Sequence, residues 1–172
     1  MANYNNSSYL EDSIKSVLSQ CSRDWELLIC DDASTDNSIE IIESFMSRSK
    51  SIRLIINPFN LGYIATLKRL IVEARYQIVG ILDSDDALTI DAVEKIIDEY
   101  NADPDLGFVY SDFVRCDKYL DPIEFRNKKY IQKYDALRTF ISHFKTFKVS
   151  AYNLTLGFDE AFVFAEDRDI IY

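Results

Sequence analysis

The chain is poor in the residues that break or staple a fold: its 172 residues include 4 Gly, 3 Pro, 3 Cys, 1 His and 1 Trp. With so little Gly and Pro there is no low-complexity linker. The length reads as a single domain, large enough to bury a core. Cys21, Cys30 and Cys116 are odd in number and widely spaced, with no Cys-x-x-Cys pair. That excludes a disulfide framework and a cysteine zinc site, and suits reduced thiols. No apolar run approaches the roughly 18 residues that a membrane span needs. The opening MANYNNSSYL lacks the basic and apolar regions of a signal peptide. These absences point to the cytoplasm, with peripheral contact at the inner face of a membrane as the furthest departure from it. Basic residues are scarce too, 19 against 29 acidic ones, for a net charge of −10. With no basic block, nucleic acid and anionic membrane are excluded as electrostatic partners. An acidic protein that handles phosphates needs a metal as intermediary.

What is present is a regular alternation of periods. Ser8 and Glu11 have the spacing of a capping box, and Leu10, Ile14, Val17 and Leu18 follow at helical spacing. A strand is expected over 25–30, where continuous Leu27, Leu28 and Ile29 suggest burial on both faces. Helical spacing returns with Ile39, Ile42, Phe45 and Met46, then a strand over 52–56 broken by Asn57-Pro58. Asn60-Leu61-Gly62 turns into a helix carrying Ile64, Leu67 and Ile71. A strand at 78–82, a helix through Ile90, Val93, Ile96, Ile97 and Tyr100, and a strand over 106–114 complete the rhythm. Such β-α alternation implies a parallel sheet between helices, because parallel neighbours need crossovers. After Arg115 the period is lost until a helix expected near 134–144.

The stretch QIVGILDSDDAL (77–88) carries the strongest chemical signal. An apolar strand ends abruptly in Asp83, Ser84, Asp85 and Asp86. Open α/β sheets bind ligands at that edge, and closely spaced carboxylates repel one another unless a cation lies between them. The guest that suits them is Mg²⁺ or Mn²⁺ carrying a phosphate; the alternative is a turn rich in Asp because Asp suits turns. The strand over 25–30 ends in a second pair, Asp31-Asp32. In a parallel sheet both clusters share one edge, although helix capping alone also accounts for the pair. Glu166-Asp167 has an equally plain alternative, since acids favour the first turn of a helix.

The pieces MANYNNSSYLEDSIKSVLSQ, WELLICDDASTDNS, NPFNLGYIATLKR, IVGILDSDDAL and GFDEAFVFAEDRD occur in an order that resembles family 2 glycosyltransferases with the GT-A fold. The resemblance implies a three-layer α/β/α sandwich with a mainly parallel central sheet. Residues 1–115 would form the nucleotide-sugar half and 116–172 part of the acceptor half. It implies that Tyr4 lies against the base, that Asp32 accepts from the base with Asp31 in support, and that Lys68 or Arg69 neutralises phosphate. Asp83 and Asp85 would form the Asp-x-Asp that faces ribose and a metal-bridged diphosphate, with Ser84 between them and Asp86 close by. Asp167 would be the general base of an inverting transfer, paired with Glu166. The donor would be a nucleotide-diphosphate sugar, with UDP the expected nucleotide and Mn²⁺ or Mg²⁺ the cofactor. The acceptor would be a hydroxyl on a glycan, a lipid-linked sugar or a protein.

The chain departs from that pattern at both ends. Met1 arrives where the family's interior first strand is finishing, so neighbouring strands are expected to lack a partner, which invites association with a second copy. The chain also stops shortly after Asp167. His143 reads as a partly buried or capping histidine, with an acceptor or metal contact as the other reading. Trp25 reads as core, and Tyr130, Tyr134 and Tyr152 as candidates for an acceptor groove. Two rival functions remain: a degenerate transferase domain that binds a nucleotide or a partner without catalysis, and a haloacid dehalogenase-type phosphatase, whose Asp-x-Asp lies on its first strand.

Overall fold

A computed structural model describes residues 1–126 and 143–159. The elements run β1 (Ala2–Asn3), α1 (Ser7–Leu18), β2 (Leu27–Asp31), α2 (Ser38–Met46), β3 (Ile52–Ile56), α3 (Tyr63–Glu73) and β4 (Ile78–Ile81). They continue with α4 (Ala92–Ala102), β5 (Phe108–Tyr110), β6 (Phe113–Cys116), β7 (Pro122–Arg126), β8 (Lys145–Lys148) and α5 (Val149–Tyr152). Among the described residues, no helix is long and apolar enough to cross a membrane.

Strand β2 is buried along its whole length, as its apolar run requires. Its side chains alternate between two cores. Leu27 and Ile29 pack with Leu10 and Ile14 of α1 and Ile42 of α2. Leu28 and Cys30 pack with Ile64, Leu67 and Ile71 of α3. Period-two alternation thus becomes a layer of helices on each side of the strand. The order β1-β2-β3 is parallel throughout, with Ala2 opposite Cys30 and Leu27 opposite Ile52.

The second half departs from the expected rhythm. Strand β8 lies between β4 and β5 and is antiparallel to both, so β4 and β5 run the same way. The strand expected over 106–114 is two strands in different sheets, β5 against β8 and β6 against β7, broken at Ser111-Asp112. Ile90, placed on a helix by its spacing, is 60% exposed in the loop before α4. The capping box does not form. Helix α1 starts at Ser7 without a side-chain cap, its first N–H reaches Asp36 Oδ2 at 2.9 Å, and Glu11 instead pairs with Lys15 at 2.7 Å. A neighbouring turn supplies what the helix end needed. The helix expected near 134–144 lies largely outside the described residues, and its last two positions, His143 and Phe144, form a bend.

An apolar cavity of about 560 Å³ separates Leu27 and Leu28 from Ile78, Val79 and Gly80. The Met1 ammonium is buried against it and donates to the Leu28 carbonyl at 2.9 Å. Burial pushes that amine down to about 6.

Candidate functional site

At the end of β2 the chain turns with Ala33 at φ +62°. Asp31 closes this turn. Its Oδ1 accepts from Ser34 N at 2.8 Å, and its Oδ2 accepts from Ser34 Oγ at 2.6 Å and Asn3 Nδ2 at 2.9 Å. Asp32 faces the other way and grips the loop after β3. Asn57 Nδ2 (2.7 Å) and Leu61 N (2.9 Å) donate to its Oδ1, and Gly62 N (2.9 Å) donates to its Oδ2. Both carboxylates are under 5% exposed. A carboxylate has roughly four acceptor positions, so Oδ2 of Asp32 keeps room for one more donor. Beside this turn Asn5 accepts from Thr35 N at 2.7 Å, and Tyr4, 50% exposed, stands next to it.

At the end of β4, Asp83 is partly buried and accepts from the Tyr63 hydroxyl at 2.7 Å. Burial raises its pKa, while that hydrogen bond and the charge of Lys145 oppose the rise. Ser84 is buried and accepts from Asn6 Nδ2 at 2.9 Å, which ties this loop to the entrance of α1. Asp85 is exposed and makes no hydrogen bond among the described residues. Asp86 lies 2.8 Å from His143 Nδ1. That bond raises the His143 pKa, with burial acting against it, and the ring sits edge-on to Phe113 with centroids 4.4 Å apart.

Asp83, Asp86 and His143 each offer one ligand atom, all within 4.8 Å of one another. Two hard oxygen donors with an imidazole, and a third carboxylate open beside them, suit Mn²⁺ or a similar divalent ion. The cluster also carries its own motive for one, because the neighbouring charges of Asp86 and Asp85 add to the burial that raises the Asp83 pKa. The donor set therefore fits the metal that the resemblance implies.

The two acidic strand ends lie in different sheets, not on one parallel sheet's edge as expected, and are linked through residues the spacing did not mark. Asn57, 1% exposed, joins Asp32 to Thr66 at 3.1 Å and accepts a short hydrogen bond from Arg69. In the sequence Asn57-Pro58 marks only a strand break. Nothing in the sequence singles out Tyr63, and His143, read as partly buried or capping with an acceptor or metal contact as the other reading, lies with Asp83 and Asp86. Arg69 is engaged at Asn57 and the Ile56 carbonyl, whereas Lys68 is half-buried on α3. Trp25 precedes the strand and packs against the core, with its indole N–H on Ser22 O at 2.9 Å. Tyr152 stacks on Phe147 with centroids 5.3 Å apart, so packing takes up its ring. Glu166, Asp167, Tyr130 and Tyr134 lie outside the described residues.

A family model described as Glycosyl transferase family 2 matches residues 1–156. Chondroitin synthase of Escherichia coli is 33% identical over 97% of this chain and 24% of its own length. Hyaluronan synthase of Pasteurella multocida is 31% identical over 97% of this chain and 17% of its own. The chain thus spans a quarter or less of the length of these curated relatives. Among solved structures, S. aureus TarS in complex with UDP superposes with a TM-score of 0.78 at 17% identity, covering 99% of this chain and 52% of that one. The mannosyltransferase PcManGT from Pyrobaculum calidifontis, in complex with GDP-Man and Mn²⁺, gives 0.71 at 19% identity, covering 98% and 48%. These likenesses establish the GT-A fold.

Proposed function

Because the chain belongs to glycosyl transferase family 2, we propose that it binds a nucleotide-diphosphate sugar at the joined acidic ends of β2 and β4 and transfers the sugar to an acceptor hydroxyl with inversion. The observation that carries this reading is the convergence of Asp83, Asp86 and His143 beside the loop that Asp32 grips. Tyr4 offers its exposed ring to the base, and Asp32 accepts from the base through its remaining position while Asp31 holds the turn. Lys68 faces the phosphates. Asp83 lies towards the ribose and, with Asp85, Asp86 and His143, holds the divalent ion; buried Ser84 fixes the loop between them. When bound, Mn²⁺ or Mg²⁺ neutralises charge on the diphosphate leaving group. Asp167, paired with Glu166, takes the acceptor proton. Residues 1–115 act as the donor half and 116–172 as the start of the acceptor half.

UDP is the nucleotide of choice, since the TarS structures hold UDP and UDP-GlcNAc; PcManGT holds GDP-Man, which makes GDP its competitor. The test is calorimetric titration of UDP, GDP and dTDP, each with Mn²⁺ and again with EDTA. One nucleotide binding only with metal is the expected result. Binding that is indifferent to EDTA removes the metal from the reading, and no binding removes the donor site.

The same centre predicts opposite pH trends. The His143 pKa is raised above its ordinary 6.5 by Asp86, so in the apo protein this pair adds stability on the acid side that is lost as pH rises through the raised value. Protonated imidazole cannot ligate a metal, so Mn²⁺ affinity instead falls as pH drops through that value. Asp86→Asn should return the His143 titration towards 6.5. Imidazole proton shifts across pH check the first trend and Mn²⁺ titrations at several pH values the second.

A further inference from the structure

The two acidic strand ends belong to different sheets, and one turn joins them. Asp32 at the end of β2 takes the N–H groups of Leu61 and Gly62, both at 2.9 Å. Gly62 has φ +87° and ψ 161°, backbone that side chains other than glycine essentially never adopt. The next residue, Tyr63, begins α3, and its hydroxyl reaches across to Asp83 Oδ1 at 2.7 Å. That distance is in the range of an O–H donor on an ionised carboxylate, about twice as strong as a neutral hydrogen bond. Asp83 is thereby held with one oxygen engaged and the other left for a ligand. The grip on the base side and the orientation of the carboxylate on the metal side are consecutive residues of one loop.

We propose that Tyr63 is a positioning residue for the metal and diphosphate end of the site, acting through Asp83, and that Gly62 couples it to Asp32. This rests on the donor-site reading given above for Asp83. An unrestrained Asp83 would sample several rotamers, and each incoming ion would have to order it. The hydroxyl removes that freedom in advance, which is the effect expected of a residue that orients a metal ligand without touching the metal. Helix α3 supports the hydroxyl from behind, because Ile64 and Leu67, the residues that follow, are buried in the core under β2.

The test uses Tyr63→Phe, which keeps the ring and removes only the hydroxyl. Mn²⁺ alone, read by water-proton relaxation, should bind about tenfold to a hundredfold more weakly. The Mn²⁺-dependent gain in UDP affinity should fall by the same factor, while binding of uracil, which has neither ribose nor phosphate, should not change. In an Asp83→Ala background Tyr63→Phe should have no further effect on Mn²⁺ affinity, a non-additivity that general destabilisation would not produce. Wild-type Mn²⁺ affinity in Tyr63→Phe, or a full additional loss in the Asp83→Ala background, overturns the role given to Tyr63. So does a wild-type chain that holds no Mn²⁺. A wild-type chain that holds Mn²⁺ but ignores UDP overturns the nucleotide reading instead, and the Mn²⁺ comparison still decides Tyr63.

Discussion

Asp85→Ala should weaken Mn²⁺-dependent UDP binding by at least about a hundredfold and leave the fold within about 0.5 kcal/mol of wild type. The two halves of that expectation have different causes. Asp85 is exposed and makes no hydrogen bond among the described residues, so folding has little to lose. Its neighbours are already engaged, Asp83 by Tyr63 and Asp86 by His143, which leaves Asp85 with both oxygens open to an incoming ion. Calorimetry with and without EDTA, alongside urea denaturation, separates binding from stability. Unchanged binding would remove Asp85 from the metal site and leave it to Asp83, Asp86 and His143. Asp167→Ala should behave in the opposite way. UDP binding persists and transfer falls by about 10² to 10⁴, the usual contribution of a general base. A sugar-transfer assay beside the same titration distinguishes the two.

Asp32→Ala should be the most destabilising change in the site, by about 2–4 kcal/mol. The carboxylate is 4% exposed and takes three donors: Asn57 Nδ2, Leu61 N and Gly62 N. Alanine leaves Leu61 N without its acceptor, while Gly62 N keeps Asn60 Oδ1 at 2.9 Å and Asn57 Nδ2 keeps Thr66 Oγ1 at 3.1 Å; a buried donor left unpaired costs about 1–3 kcal/mol, less where water enters. Asp32→Asn should cost less, about 2 kcal/mol, because an amide oxygen still serves one side while its NH₂ opposes another donor. The loop from Asn57 to Gly62 is also what sets Tyr63 against Asp83, so UDP binding should be lost even where folding survives. Urea midpoints for the series wild type, Asp32→Asn and Asp32→Ala check the order. An Asp32→Ala protein as stable as wild type would mean that other contacts hold the loop.

The legible part of the site is the part written in short-range chemistry. An apolar run ending in carboxylates announces a buried strand with ligands at its end, and both such ends, Asp31-Asp32 and Asp83 to Asp86, are strand ends in the structure. Helical periods located α2, α3 and most of α4 because burial of a face is repeated every turn. Strand β8 was not legible. Its four residues KTFK carry a weak alternation, and Lys145 is buried despite its charge. Its place between β4 and β5 depends on partners more than thirty residues away. The split of β5 from β6 was hidden for the same reason, since each strand is defined by a different neighbour.

The sequence by itself determined that this is an α/β chain of family 2 type, with two strands that end in carboxylates. Those properties follow from composition, period and the order of motifs, which are local. Only the tertiary structure decided which side chains answer the acids: Tyr63 to Asp83, His143 to Asp86, Asn57 and the Gly62 turn to Asp32. A carboxylate in water needs no named partner. One that folding removes from water must find donors, and the fold's geometry alone says which donors come within reach.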